Sequence, residues 1–148
     1  MTSPLYSDSI TVFNRYQRGG FTGGIPPAPN WERTVIRNVT WQDQVHTNAD
    51  NLGASQISKT VSVIIPLKAE IEGDKKYFAP MDYALMPNDQ DGWTLQQRDI
   101  IAFGEIDRDI TPLFTEEDLA REYKTMRISG VTDTTNQSII PSWKVEGV

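Results

Sequence analysis

The sequence predicts a mainly β protein: a small barrel or sandwich with long loops and one or two short helices. Apolar residues recur at period two in several segments, the mark of half-buried strands. Those segments are rich in β-branched and aromatic residues and are bounded by Gly, Pro, Asn and Asp. At 148 residues the chain can bury about two-thirds of its unfolded surface in a single core. One domain over residues 1–148 is therefore expected, with long loops at about 17–30 and 45–58.

The first strand is "SITVFNRY", Ser9 to Tyr16. Ile10, Val12 and Tyr16 share one face; Ser9, Thr11 and Arg15 share the other, where Phe13 is the apolar exception. The connection that follows, "QRGGFTGGIPPAPN", is fourteen residues long, with four glycines and three prolines. Hairpin loops usually run about 2–5 residues, so this one needs a reason. In the next strand, "WERTVIRNVTW", Trp31, Val35, Val39 and Trp41 share a face with Arg33 and Arg37, while Glu32, Thr34, Asn38 and Thr40 point away. That mixed face is expected to be covered in part by something other than this chain's core.

The polar stretch "HTNADNLGASQISK" reads as a second long loop. It leads to "TVSVIIP", where Val61, Val63 and Ile65 alternate and Pro66 ends the ladder because it lacks a donor N–H. After the turn "EGDKK" and a short "YF", Pro80 in "APMDYALM" suits the first turn of a brief helix. "WTLQQRDIIAFGEI" reads as a short strand, a turn at Gln97 to Asp99, and a strand over Ile100 to Ile106. Val61, Val63, Ile65, Ile100, Ala102 and Ile106 are expected to share one barrel core. Thr115, followed by Glu116, Glu117 and Asp118, reads as a helix N-cap with acids in the first turn, opening about two turns through Tyr123. Two strands close the chain: "KTMRISGVT", with Met126 and Ile128 on one face, and "SWKVEG", with Trp143 and Val145 together.

The balance of 20 acidic against 14 basic residues, a formal charge of −6, argues against a surface built to neutralise nucleic-acid phosphates. With no cysteine, neither disulfides nor thiolate chemistry contribute. The N-terminus has no basic start followed by an apolar run, and no window approaches the ~18 apolar residues of a membrane span. Cytosolic synthesis without membrane insertion is expected.

Candidate motifs for chemistry are incomplete. "GGFTGG" lacks the closing Gly-Lys-Ser/Thr of a phosphate loop and runs into Ile25, Pro26 and Pro27. "NDQDG" has Pro87 where a calcium loop places its first carboxylate and Arg98 where it places its bidentate Glu. His46 is the single histidine and has no companion near it in sequence for a triad or zinc site. Glu105, Asp107 and Asp109, interleaved with Arg108, could converge as a carboxylate pair but read more simply as a charged edge. No catalytic, cofactor or metal site is expected, and no enzyme. Trp31, Trp41, Trp93 and Trp143 each fall at a strand end and read as core or core-rim packing, with a carbohydrate-stacking platform as the rival use.

Taken in order, "VFNRY", "RTVIRNVTWQD", "KTVSVIIPL", "KKYFAPMDY", "GWTLQQRDIIAFGEID" and "SWKVEG" resemble a family of small proteins encoded in the head-to-tail gene cassettes of tailed bacteriophages. The resemblance runs from about Ser9 to Gly147; where members have Gly before the Asp of the "DII" turn, this chain has Arg98. It implies a structural protein of the virion neck, similar to head-closure or stopper proteins: small β-barrels with long loops that form a ring, of six identical subunits, between portal-adaptor and tail. Portal or adaptor proteins and tail-terminator or tail-tube proteins are the implied partners. Genomic DNA would pass without sequence-specific binding, and an acidic wall would repel its phosphates. On this expectation the Gln17–Asn30 loop is an assembly arm or lumen-facing loop, with Arg18, Phe21 and Ile25 as contacts, and Arg33 and Arg37 contribute from the mixed strand face. A tail-terminator or tail-completion protein, and a virion-attached carbohydrate-binding module, are the alternatives.

Overall fold

The computed structural model describes residues 7–16, 30–49, 55–86, 91–136 and 141–148. Its strands are β1 (Asp8–Tyr16), β2 (Asn30–Ala49), β3 (Ser55–Pro66), β4 (Glu70–Ile71), β5 (Ile100–Phe103), β6 (Thr125–Asp133) and β7 (Ser142–Gly147). Two short helices, α1 (Pro80–Ala84) and α2 (Glu116–Glu122), complete the described elements together with a 3-10 turn at Glu72–Asp74. The strand order is β1-β5-β6-β7-β3-β2, and β2 pairs back with β1, so six antiparallel strands close a barrel; β4 is appended to β2. Closure removes the open edges that a six-stranded sheet would otherwise present.

The interior is filled by alternate side chains from every wall: Ile10 and Val12 of β1, Ile36, Val39 and Trp41 of β2, Val63 and Ile65 of β3, Ile101 of β5, Met126 and Ile128 of β6, and Trp143 and Val145 of β7. Residues 91–95 add Trp93 and Leu95 to this cluster. Tyr77 bridges to Trp93, and its ring lies 5.0 Å from that of Trp93 and 4.7 Å from that of Trp143. Three aromatic rings in mutual contact thus supply much of the apolar area that holds this part of the interior.

Strand β2 makes closure possible. Its first half pairs with β1 and its second with β3, and the handover falls at Asn38. Asp8 pairs with Val39 and Ser9 with Arg37, so Asn38 is an extra, unpaired residue, held at φ 66°. This is a β-bulge, which bends the strand and raises its twist, and Asn is among the residues that best tolerate the left-handed region. One inserted residue also exchanges the faces. Ile36 points into the barrel before the bulge; Val39 and Trp41 do so after it. The expectation that Trp31, Val35, Val39 and Trp41 share one face is thereby corrected, since Trp31 packs on the outside. Asn38→Val, which forces a β-branched residue into this conformation, should lower the unfolding free energy by about 1–2 kcal/mol, whereas Asn38→Gly should change it by a few tenths. Urea denaturation of the two variants checks the difference.

A second apolar cluster lies outside the barrel wall. Phe13, Ile100 and Ala102 face outward and are covered by Ile106, Ile110, Phe114 and Leu119, with Trp31 and Tyr123 against them. Two expectations change here. The strand thought to run to Ile106 stops at Phe103, because Gly104 adopts φ 97° and the chain leaves the sheet. Ile100, Ala102 and Ile106 consequently belong to the outer cluster, while Val63 and Ile65, with Val61 against them, belong to the interior. The departing segment is tied down by Thr11, whose hydroxyl donates to the Gly104 carbonyl at 2.8 Å and accepts from the Ile106 N–H at 2.9 Å.

Helix α2 begins as its sequence predicts. The Thr115 hydroxyl accepts from the Asp118 N–H, and the Asp118 carboxylate accepts from the Thr115 N–H at 3.0 Å, a reciprocal cap. The Thr115 N–H and hydroxyl, both donating to it, hold the Asp118 carboxyl below its ordinary range. Leu119, one turn in, reaches the outer cluster, so the cap fixes where the lid of that cluster sits. α1 likewise opens at Pro80.

The second long loop expected at 45–58 is mostly paired. β2 and β3 continue as a hairpin from Gln44↔Thr60 to Ala49↔Ser55, while β3 is paired with β7 only from Val61 onward. Ladder hydrogen bonds belong to the backbone and need no apolar alternation, so a polar sequence can form them. The other expected loop is different: residues 17–29, including Arg18, Phe21 and Ile25, lie outside the described residues.

Candidate functional site

Two surfaces stand out. The first is the outer wall built on the start of β2. Before the bulge, Trp31, Arg33, Val35 and Arg37 alternate on the outward side, opposite Thr34 and the buried Ile36. Arg33 donates from Nε to the Asp109 carboxylate at 3.0 Å and from Nη1 to the Ile106 carbonyl at 2.8 Å. Arg37 donates from Nε to the Glu105 carboxylate at 2.8 Å, which raises the arginine's pKa further above its ordinary value. Four residues apart on β2, the arginines therefore grip two carboxylates also four residues apart on the segment that crosses the strand. The expectation that this mixed face is covered by something other than the chain's own core is thereby corrected: the cover is the chain's own 105–109 segment and the outer cluster beside it. Arg108 pairs with Glu122 of α2 at 3.0 Å and lies over the Phe114 ring at 3.6 Å from its centroid.

The three carboxylates considered as a converging pair are thus dispersed. Glu105 and Asp109 each face an arginine, and Asp107 is exposed. Charge neutralised in this way fastens a segment and does not set two carboxyl groups against each other as an acid and base require. Beside Arg33 an open groove of about 800 Å³ is lined by Tyr16, Trp31, Lys75, Asp109 and Pro112 among others. Lys75 donates to the Arg33 carbonyl at 2.7 Å and to the Thr34 hydroxyl at 3.2 Å, so the cation on this rim is bound to the β2 backbone.

The second surface is the hairpin arm. From Gln44 to Ala49 and from Ser55 to Thr60 the two strands pair with each other, and among the described residues neither outer edge of this stretch is paired. Six residue pairs at about 3.3 Å each carry it roughly 20 Å past the last β3–β7 pair. At the root, Trp41 N–H donates to the Asp8 carboxylate at 3.0 Å, and Asp43 pairs with Lys124 and accepts from the Trp41 indole, contacts that hold the Asp43 carboxyl below its ordinary range, the bond from Lys124 first. Where the arm leaves the barrel, β2 is thus tied to Asp8 of β1 and to Lys124 just before β6. His46 sits on it, opposite Ser58. Where the strands emerge, Gln44, Thr60, Ser62, Ser129, Glu146 and Val148 surround a small hollow of about 240 Å³.

Among the described residues no group of three or more His, Cys, Asp or Glu gathers as a metal site, and no helix is long and apolar enough to cross a membrane. Trp41, Trp93 and Trp143 are buried, with 8%, 1% and 5% of their surfaces exposed. A sugar-stacking platform needs rings open on one face, and these three are committed to the interior. The reading of the tryptophans as packing residues is the one the structure supports.

The arm itself was missed in the sequence, although "DQVHTNA" and "SQISKT" contain the β-branched residues Val45, Thr47, Ile57 and Thr60 that favour strands. The bulge was also missed. Asn38 inside an otherwise β-rich run was the available signal, since a lone Asn or Gly in a strand marks a place where the ladder is interrupted.

The fold is thus a closed six-stranded barrel with a projecting hairpin and a strapped outer wall. Residues 5–148 match the model of DUF6751, a family of unknown function, and the chain belongs to that family. No curated protein and no solved structure matches it.

Proposed function

We propose that the chain is a structural protein of a tailed-bacteriophage virion, a head-closure or stopper subunit assembling as a ring of six identical copies between the portal-adaptor and the tail. The observation that carries this reading is the arm: a closed barrel from which a paired hairpin projects, both of its outer edges unpaired among the described residues. A two-stranded ribbon alone is marginal in water, and an open edge is a template for another strand. Proteins that stay single guard such edges with charge or proline. Of the twelve residues Gln44–Ala49 and Ser55–Thr60, Lys59 is the only one with a full charge, and none is proline. In a ring of heterologous contacts, each copy offers its arm to the next.

Arg33 and Arg37 take part in this proposal as a neutralised surface. Their side chains keep 24% and 34% of their exposure while paired with Asp109 and Glu105. A neighbour would meet charge pairs that set register and add little affinity. Portal or adaptor proteins on one side and tail-terminator or tail-tube proteins on the other are the proposed partners, and the net charge of −6 suits a conduit that lets DNA pass without holding it. Locating the chain on particles by labelled imaging tests the proposal.

A further inference from the structure

The turn at residues 96–99, between the interior segment 91–95 and β5, is held by a buried polar cluster that the barrel does not need for closure. Asn14, near the C-terminal end of β1 and fully buried, donates from Nδ2 to the Thr94 carbonyl at 2.7 Å and to the Asp99 carboxylate at 3.0 Å. Its Oδ1 accepts from the Thr94 N–H at 3.1 Å. The Arg15 N–H donates to the other carboxylate oxygen at 3.3 Å, and Gln96 returns a bond to the Arg15 carbonyl at 2.7 Å. On the far side, the Ile128 N–H of β6 donates to the Asp99 carbonyl at 2.8 Å, and the Arg98 N–H to the Ile128 carbonyl at 2.8 Å. The turn is thus pinned to β1 by side chains and to β6 by backbone. It carries backbone strain as well, since Arg98 sits at φ 75°, in the left-handed region that glycine adopts freely.

Asp99 is 2% exposed, and the donors that reach its carboxylate in this cluster are uncharged amides. Arg15 acts on it from β1 through space. Arg98 lies on the turn itself, and Arg127 on β6 donates to the Arg98 carbonyl at 2.8 Å while engaged with Glu116 of α2. Asp91 lies at the outer end of the interior segment. A carboxylate buried in this way is desolvated without a bonded cation to offset the loss.

We propose that Asp99 makes turn 96–99 a pH-responsive latch between β1 and β6, closed firmly while the carboxyl is protonated and loosened once it must be held as a buried anion. Burial is the dominant influence on the group and pushes its pKa up to about 6, against the opposing bonds from Asn14 and Gln96. When the turn opens, the carboxyl meets water and returns to its ordinary value near 3.8. Between these two values the closed state binds a proton that the open state releases. Opening therefore becomes easier as pH rises from about 4 to about 6, by on the order of a hundredfold in total, and levels off above.

The test follows the carboxyl carbon of Asp99 by NMR in the intact protein, together with hydrogen-exchange protection of the Arg98 and Ile128 amides from pH 4 to pH 7. The expected results are a carboxyl midpoint near 6 and a fall in protection at both amides on the order of a hundredfold. That fall should be insensitive to low urea, because a local opening exposes little surface. In Asp99→Asn, protection should no longer depend on pH. A carboxyl midpoint near 4, protection that does not change with pH, or exchange with the full urea dependence of global unfolding would each overturn the latch. The wild-type measurements decide the matter if Asp99→Asn fails to fold.

Discussion

Val63→Asp is expected to abolish folding. Val63 is fully buried in the barrel-wall half of β3, paired with Trp41 of β2 on one side and Val145 of β7 on the other, and its side chain points into the interior cluster. An aspartate there finds apolar neighbours and no cation. An unpaired buried charge costs several kcal/mol even when it is neutralised by protonation, comparable to the whole stability of a domain this size, about 5–15 kcal/mol. The purified variant should show no cooperative thermal transition. Val63→Ala, which removes two methyl groups, should cost about 2 kcal/mol and keep the transition cooperative. Ile64→Asp, one residue along and on the outward face, should be far milder than Val63→Asp. If Ile64→Asp were the more damaging of the two, the facing of β3 would be inverted.

Removing the arm is expected to separate assembly from folding. Gln44 and Thr60 are opposite each other, so replacing residues 45–59 by Asn-Gly joins them through a two-residue turn suited to the twist of a hairpin. The β3–β7 ladder begins at Val61, and no member of the interior cluster is lost. The melting transition should therefore stay cooperative, within a few degrees of the parent. Self-association should weaken by at least about tenfold, the equivalent of 1.4 kcal/mol, as read by sedimentation or mass photometry. Particles carrying the shortened chain should fail to join heads to tails. A shortened protein that assembles as the parent does would remove the arm from the mechanism.

Much of this architecture could be read from residues in sequence, where the signal is local. The Thr115 cap, the Pro80 start, and the pairs Met126/Ile128 and Trp143/Val145 each rest on neighbours within a turn or on the strict alternation of a strand. What escaped depended on partners distant in sequence or on a break in period. A single extra residue at Asn38 reverses the facing of β2, and a period-two count carried through it assigns Ile36 to the wrong side. Phe13 stood out as an apolar exception, but its explanation lies some ninety residues later, in Ile100, Ala102 and Ile106. The arginines of β2 were legible as a mixed face; the carboxylates that meet them, Glu105 and Asp109, are about seventy residues away. Asn14 and Asp99 were unremarkable separately, because a buried polar cluster is defined by its members' meeting.

The proposal that this barrel is a neck subunit is tested most directly by locating it on the particle. An affinity tag after Val148, which is 72% exposed, can be labelled with gold on intact virions and imaged by electron microscopy. The account predicts label confined to the junction of head and tail, and averaged density there showing a ring of six barrels whose arms bridge adjacent copies. Label on the capsid faces or the tail tip, or assembled virions that lack the chain, would contradict it.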